Sequence, residues 1–149
     1  MLKGINPLLT PELLMRLAQT GHNEWVAVVD ANFTAELLAQ GKPVVRLPGI
    51  SLLDACAAII SVFPICNDVP HPAGYMHVSG SAPSHRTPTQ QAFVSLVERE
   101  YPLVAGKIEA IERFAFYERI TSASLIVQCG ETSAYGNAIF CKDVILPAN

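Results

Sequence analysis

The chain is poor in charge, and this shortage excludes partners before any residue is singled out. Only 15% of its 149 residues are Asp, Glu, Lys or Arg, against about 25% in an average soluble domain. The net charge is −3, the pI is near 5.7 and no block of Lys or Arg occurs. Nucleic acids and anionic membranes need a basic footprint, so neither is an expected partner. Long apolar runs are also missing. The longest, residues 55–66, is broken by Ser61 and Pro64 and is far shorter than the about 20 residues of a membrane span. Residues 1–10 carry one Lys and no continuous apolar core, so they do not read as a secretory signal, and the expected location is the cytoplasm.

The usual signatures of metal, phosphate and nucleotide chemistry are absent too. Cys56, Cys66, Cys129 and Cys141 are irregularly spaced, without a CxxC pair, which predicts reduced and mostly buried thiols. His71, His77 and His85 lack metal-ligand spacing and read as surface or loop residues. There is no P-loop, no GxGxxG after a strand, no GxSxG and no HExxH. Neither a metal nor a cofactor is therefore expected. What remains is acid/base chemistry by side chains alone, with His22, Asp30, Tyr117, Tyr135 and the arginines as candidates.

Apolar residues are plentiful, at 50% of the chain, enough for one domain with a real core. Combined with the low charge, this predicts a surface that meets another copy, hence a homo-oligomer. Thr10-Pro11-Glu12 is an N-cap, an N1 proline and an early acid, and it opens a helix with Leu13, Leu14, Leu17 and Ala18 on one face. Gly21 ends that helix. A β-rich run at 25–29 follows, which puts His22 in the helix-to-strand turn and Asp30 at the strand's C-terminal end. A short helical turn or loop at 34–40 and a strand at 43–47 come next, then a helix from the Ser51 cap to about residue 63. Residues 67–74 read as loop, 75–79 as strand, 80–88 as an irregular excursion, and Thr87-Pro88 opens a helix to about residue 101. The last third reads as strand 107–111, helix 113–123 with Phe114, Tyr117 and Ile120 or Thr121 in phase, strand 125–129, loop 130–137 and strand 138–145. Strands alternating with amphipathic helices predict an α/β layered domain with a mixed, partly parallel sheet flanked by helices, occupying the whole of 1–149.

Several segments carry a resemblance in order and spacing: Leu2-Lys3-Gly4, Pro11-Glu12-Leu13-Leu14, Gly21-His22, Asp30-Ala31-Asn32-Phe33, the run from Arg113 to Arg119, and Tyr135-Gly136-Asn137. Together they resemble the L-fucose mutarotase and D-ribose pyranase family over nearly the whole chain, and the Phe-Tyr-Glu-Arg segment resembles its fucose branch. The resemblance implies interconversion of sugar anomers by opening and reclosing the hemiacetal, without a metal or cofactor. It implies His22 as proton donor and acceptor, Tyr117 assisting, and Asp30, Arg113, Tyr135, Asn137 and Met76 as sugar contacts. It also implies assembly of copies, often into a decameric ring, with the sugar site close to a subunit boundary. Thr34, Asn23-Glu24 and residues 120–124 depart from the family pattern, which bears on the preferred sugar. From residue types alone, other readings stay open. His22 is also a plausible turn histidine beside a helix C-terminus, Asp30 a turn cap, Tyr117 a core aromatic, and Tyr135-Gly136-Asn137 a left-handed turn. A non-catalytic sugar-binding module would share these contacts, and a ribose-type pyranase would share Gly21-His22, Asp30 and Tyr135-Gly136-Asn137 but is disfavoured by Arg113 and Tyr117.

Overall fold

The computed structural model describes residues 2–147. Helix α1 spans Pro11–Gln19, and its start is the one its sequence dictates, with the Thr10 hydroxyl accepting from the Leu13 N–H. Strand β1 (Trp25–Val29), helix α2 (Ala35–Ala39), strand β2 (Val44–Leu47) and helix α3 (Leu52–Ile60, capped by Ser51) follow. Strand β3 is Ala73–Met76, helix α4 is Pro88–Glu100, and a 3-10 turn spans Pro102–Val104. Strand β4 (Ile108–Ile111), helix α5 (Arg113–Ser122), strand β5 (Leu125–Cys129) and strand β6 (Ala138–Cys141) complete the chain.

The six strands form one sheet in the order β2-β5-β1-β6-β3-β4. β2, β5 and β1 pair in parallel, as do β3 and β4, while β6 runs antiparallel to both β1 and β3. Five strands therefore point the same way and one opposes them. Side chains alternate across the sheet. Val26 and Val28 join the core beneath α1, α3 and α4, whereas Ala27 and Val29 join a smaller core beneath α2 and α5. The result is a three-layer α/β sandwich with the mixed sheet expected from the sequence.

Three differences from the sequence reading have a clear physical reason, while the strand expected at 75–79 ends already at Met76 and the helix expected to about residue 63 at Ile60. Residues 73 and 74 were expected in a loop, yet Gly74 is a buried strand residue. A side chain there would press on Ile111 Cδ1 at 2.6 Å, so the glycine marks a close approach of β3 and β4 and not a turn. Strand β6 ends at Cys141 instead of running to residue 145. Lys142 makes one bridge to Ile65, Asp143 N–H then donates to Pro64 O, and Val144, Ile145 and Leu146 lie exposed. In α5 the sequence puts Phe114 and Tyr117 in phase with Ile120 or Thr121, and of these only Ile120 is fully buried. Phe116 and Ile120 are the fully buried pair, and Phe114 is 69% exposed. This rotation leaves Arg113 exposed and Tyr117 half-buried at the rim of the smaller core.

Candidate active site

Five strands in one direction place their carboxyl ends along one edge of the sheet, where α/β proteins commonly hold ligands. Asp30 follows β1, Met76 ends β3 and Arg113 follows β4, while Asn137 precedes the opposed β6 and so reaches the same edge. These residues line an open cavity of about 310 Å³, together with Asn32, Phe33, Thr34, Tyr117 and Tyr135. Six of the seven candidate residues thus meet in one pocket although they are distributed from position 30 to position 137. A hollow of about 330 Å³ beside α1 is lined by residues such as Leu2, Ile5, Leu9 and Leu14 and has no titratable side chain in its lining.

Asp30 and Asn137 form the buried heart of the site. The Asn137 Oδ1 accepts from the Asp30 N–H at 2.9 Å, and the Asn137 Nδ2 donates to Asp30 Oδ2 at 2.8 Å. The Asn32 N–H donates to the other carboxylate oxygen at 2.9 Å. Burial raises the Asp30 pKa above its ordinary value, against the opposing pull of Asn137 and the backbone N–H groups of Asn32 and Phe33, while the charge of Glu131 raises it further. The group is held so that it can both bind hydroxyls and take a proton more readily than an exposed carboxylate.

On the other wall Arg113 Nε donates to Tyr117 Oη at 3.0 Å, one helical turn away. That contact raises the Arg113 pKa, so the guanidinium is a permanent cation. Its terminal nitrogens remain available for ligand oxygens, and the Tyr117 hydroxyl, accepting from Nε, keeps its own hydrogen to donate. Tyr117 also leans edge-on against Phe33, with centroids 5.6 Å apart. Tyr135 has the left-handed φ of 61°, which the short Tyr-Gly-Asn turn requires. Hydrogen bonding to the Ser79 side chain and backbone, with Arg113 nearby, lowers its phenol pKa. Met76, 3% exposed, supplies apolar floor and lies 4.0 Å from Asn137 Nδ2.

His22 is the exception. It lies in the α1–β1 turn, at the N-terminal end of the strand whose C-terminal end carries Asp30. A five-residue strand separates the two by roughly 15 Å or more. The sequence-based expectation that this imidazole and this carboxylate face one pocket is therefore corrected: within one chain they stand at opposite edges of the sheet. His22 Nε2 is instead 3.7 Å from Asp68 Oδ2. His77 is next to Met76 in sequence but does not line the cavity, and its Nε2 faces Ser81 Oγ at 3.2 Å.

Sequence reasoning missed Gln90. It is 1% exposed, closes the Thr87 capping box through Oε1, and donates through Nε2 to Met76 O at 2.7 Å and Tyr135 O at 3.2 Å. One amide thus fixes the start of α4 and two backbone segments of the pocket. The Thr-x-x-Gln spacing signalled the cap, but nothing in it signalled the reach to residues 76 and 135.

Fold and pocket together define an α/β protein with a small, largely polar pocket at its strand ends. The chain belongs to the RbsD / FucU transport protein family, whose model matches residues 3–145. It is 36% identical to a fucose mutarotase of Bos taurus, covering 98% of this chain and 95% of that protein. It is 37% identical to an L-fucose mutarotase of Glaesserella parasuis, covering 97% and 96% of the two chains. Among solved structures, the fucose mutarotase of Streptococcus pneumoniae in complex with L-fucose superimposes with a TM-score of 0.87 at 29% identity, over 97% of this chain and 100% of that one.

Proposed function

We propose that this protein is a sugar mutarotase acting on L-fucose or a closely related monosaccharide. The observation that carries the reading is the pocket itself. A buried, proton-accepting Asp30 faces an Arg113–Tyr117 pair across a cavity lined at its floor by Met76 and Phe33. Its volume is at the lower end of the about 300–1,000 Å³ typical of small-molecule sites. Polar groups on the walls match sugar hydroxyls, and the apolar floor matches the C–H face of the ring.

Ring opening removes the proton of the anomeric hydroxyl while a second group protonates the ring oxygen, and the C1–O5 bond breaks to give the aldehyde. Rotation about C1–C2 and reclosure with the roles reversed yields the other anomer. Asp30, held by Asn137 and Asn32, orients hydroxyls, Arg113 donates to sugar oxygens, and Tyr117 relays or stabilises a proton. His22 supplies the imidazole that donates and accepts the protons. Because it is remote from Asp30 in its own chain, His22 enters the pocket of a neighbouring copy. This agrees with the open cavity and with the exposed Leu37 and Phe114, 74% and 69% accessible, on the helices that flank it. The active form is thus a homo-oligomer, and a ring of copies satisfies every site with the same boundary. Four free, buried cysteines suit a reducing cytoplasm.

Saturation-transfer NMR on equilibrated L-fucose reads anomer exchange directly. Catalytic amounts of protein should raise the exchange rate well above the buffer rate. Saturable sugar binding with no added exchange would instead identify a non-catalytic binding module, and preference for D-ribose a pyranase.

A further inference from the structure

Outside the pocket formed by its own chain, at the opposite edge of the sheet, three potential metal ligands converge from segments far apart in sequence. His22 Nε2 lies 3.7 Å from Asp68 Oδ2, and the Cys66 thiol donates to Asp68 Oδ1 at 2.6 Å. One ligand atom from each residue lies within 4.8 Å of the others. Bonds of about 2.0–2.3 Å to a tetrahedral cation put neighbouring ligand atoms roughly 3–4 Å apart, so a small opening of the carboxylate admits the ion. We propose that His22, Cys66 and Asp68 form a site for one Zn²⁺-class divalent cation, with solvent completing its coordination.

The donor set decides the class of ion. Imidazole nitrogen, thiolate sulfur and carboxylate oxygen suit Zn²⁺ and its borderline neighbours, whereas Ca²⁺ and Mg²⁺ want oxygen alone. Both ligand-bearing segments are anchored to the same strand end. Asn23 N–H donates to Lys142 O and Cys66 N–H to Cys141 O, each at 3.0 Å, while Ile65 bridges Lys142. Asn23, left-handed at φ 61°, turns its Oδ1 to 3.6 Å from Cys66 Sγ and so backs the thiol from behind. In the single chain the His22 and Asp68 side chains are 38% and 60% exposed, so an ion can reach them before copies assemble, and Cys66 forms the buried floor. In the metal-free protein one proton bridges sulfur and carboxylate. On binding, the S–H bond breaks, a sulfur–metal bond forms and the proton leaves to solvent. Neutral imidazole, thiolate and carboxylate then balance the two charges of the cation.

The consequence for activity rests on the mutarotase reading. A cation on His22 Nε2 takes the lone pair that proton exchange requires, so Zn²⁺ is an inhibitor here and not a cofactor. The test is a Co²⁺ titration of the full chain, followed by the thiolate-to-cobalt charge-transfer band and by displacement with Zn²⁺. One equivalent per chain is expected to develop the band. Cys66→Ser should abolish it, Asp68→Asn should weaken binding about tenfold or more, and Cys141→Ser should retain it. No band in wild type, or an undiminished band in Cys66→Ser, would overturn the site and leave the mutarotase reading untouched. In the exchange assay Zn²⁺ should slow wild type in step with occupancy and spare Cys66→Ser. Full occupancy without slowing would uphold the cation site and remove His22 from the sugar pocket.

Discussion

Replacing Asn137 by Leu tests the electrostatic centre of the pocket because the amide makes its two short bonds to one residue, Asp30. Leu has a similar volume, so packing changes little at a position only 2% exposed. Two losses follow. The buried Asp30 N–H loses the acceptor it holds at 2.9 Å, at a cost of about 1–3 kcal/mol. The carboxylate loses the 2.8 Å donor on Oδ2, a charge-assisted bond of about 1.5–3 kcal/mol. Allowing for the apolar area gained, the net penalty at neutral pH is about 2–5 kcal/mol, or roughly 5–15 °C in Tm for a chain of this size. The pH dependence supplies the sharper test. In wild type, burial already raises the Asp30 pKa in the fold. The folded state then binds more protons than the unfolded chain between the ordinary carboxylate value and the raised one, so this group's contribution falls as pH rises through that window. Removing Asn137 removes a lowering influence and extends the window upward. The variant's deficit should therefore shrink by about 1 kcal/mol in urea melts taken near pH 4, where a neutral carboxyl needs the donor less. A deficit below about 1 kcal/mol at neutral pH, or one that grows on acidification, would refute the reasoning.

Tyr117→Phe should lower anomer exchange by about tenfold, short of the 10²–10⁴ expected of a principal acid/base group, with little change in Tm. Saturation-transfer rates beside a thermal melt check both halves. Gln90→Leu leaves the carbonyls of Met76 and Tyr135 without their shared donor, and should cost about 1–3 kcal/mol in urea melts. It should also raise KM more than it lowers kcat, because the proposed sugar contacts at residues 76 and 135 loosen. Gly74→Ala drives a methyl into Ile111 and near Glu109 O, and should lower Tm by roughly 2–10 °C through overpacking.

The layered α/β plan was legible because capping signals and alternating apolar strands are local. Thr10-Pro11, Ser51 and Thr87-Pro88 begin helices where they stand in the sequence, and 25–29 and 125–129 coincide with strands. Gly74 misled because a glycine demanded by a neighbouring strand looks the same in sequence as one demanded by a turn. The phase of α5 misled because Phe114 and Phe116 are equally apolar, and only the sheet beneath decides which is buried. Asp30, Met76, Arg113, Tyr117, Tyr135 and Asn137 were all named from sequence, through resemblance more than through spacing, and the fold gathers them. Gln90 and the convergence of His22 with Cys66 and Asp68 depend on contacts across 14 to 45 positions for the first and 44 to 46 for the second. No local pattern encodes such contacts. The position of His22 relative to Asp30 was misjudged because adjacency along a strand's two ends is separation in space.

Mixing two variants tests most directly the claim that catalysis joins residues of neighbouring copies. His22→Gln and Asp30→Asn should each assemble and each be nearly silent in saturation-transfer exchange, losing on the order of 10²-fold. When the two are co-assembled in equal amounts, about a quarter of the boundaries pair an intact His22 with an intact Asp30 of the next copy, and exchange should recover toward that fraction of wild type. A mixture as silent as its components, or a single variant with wild-type exchange, would contradict the account.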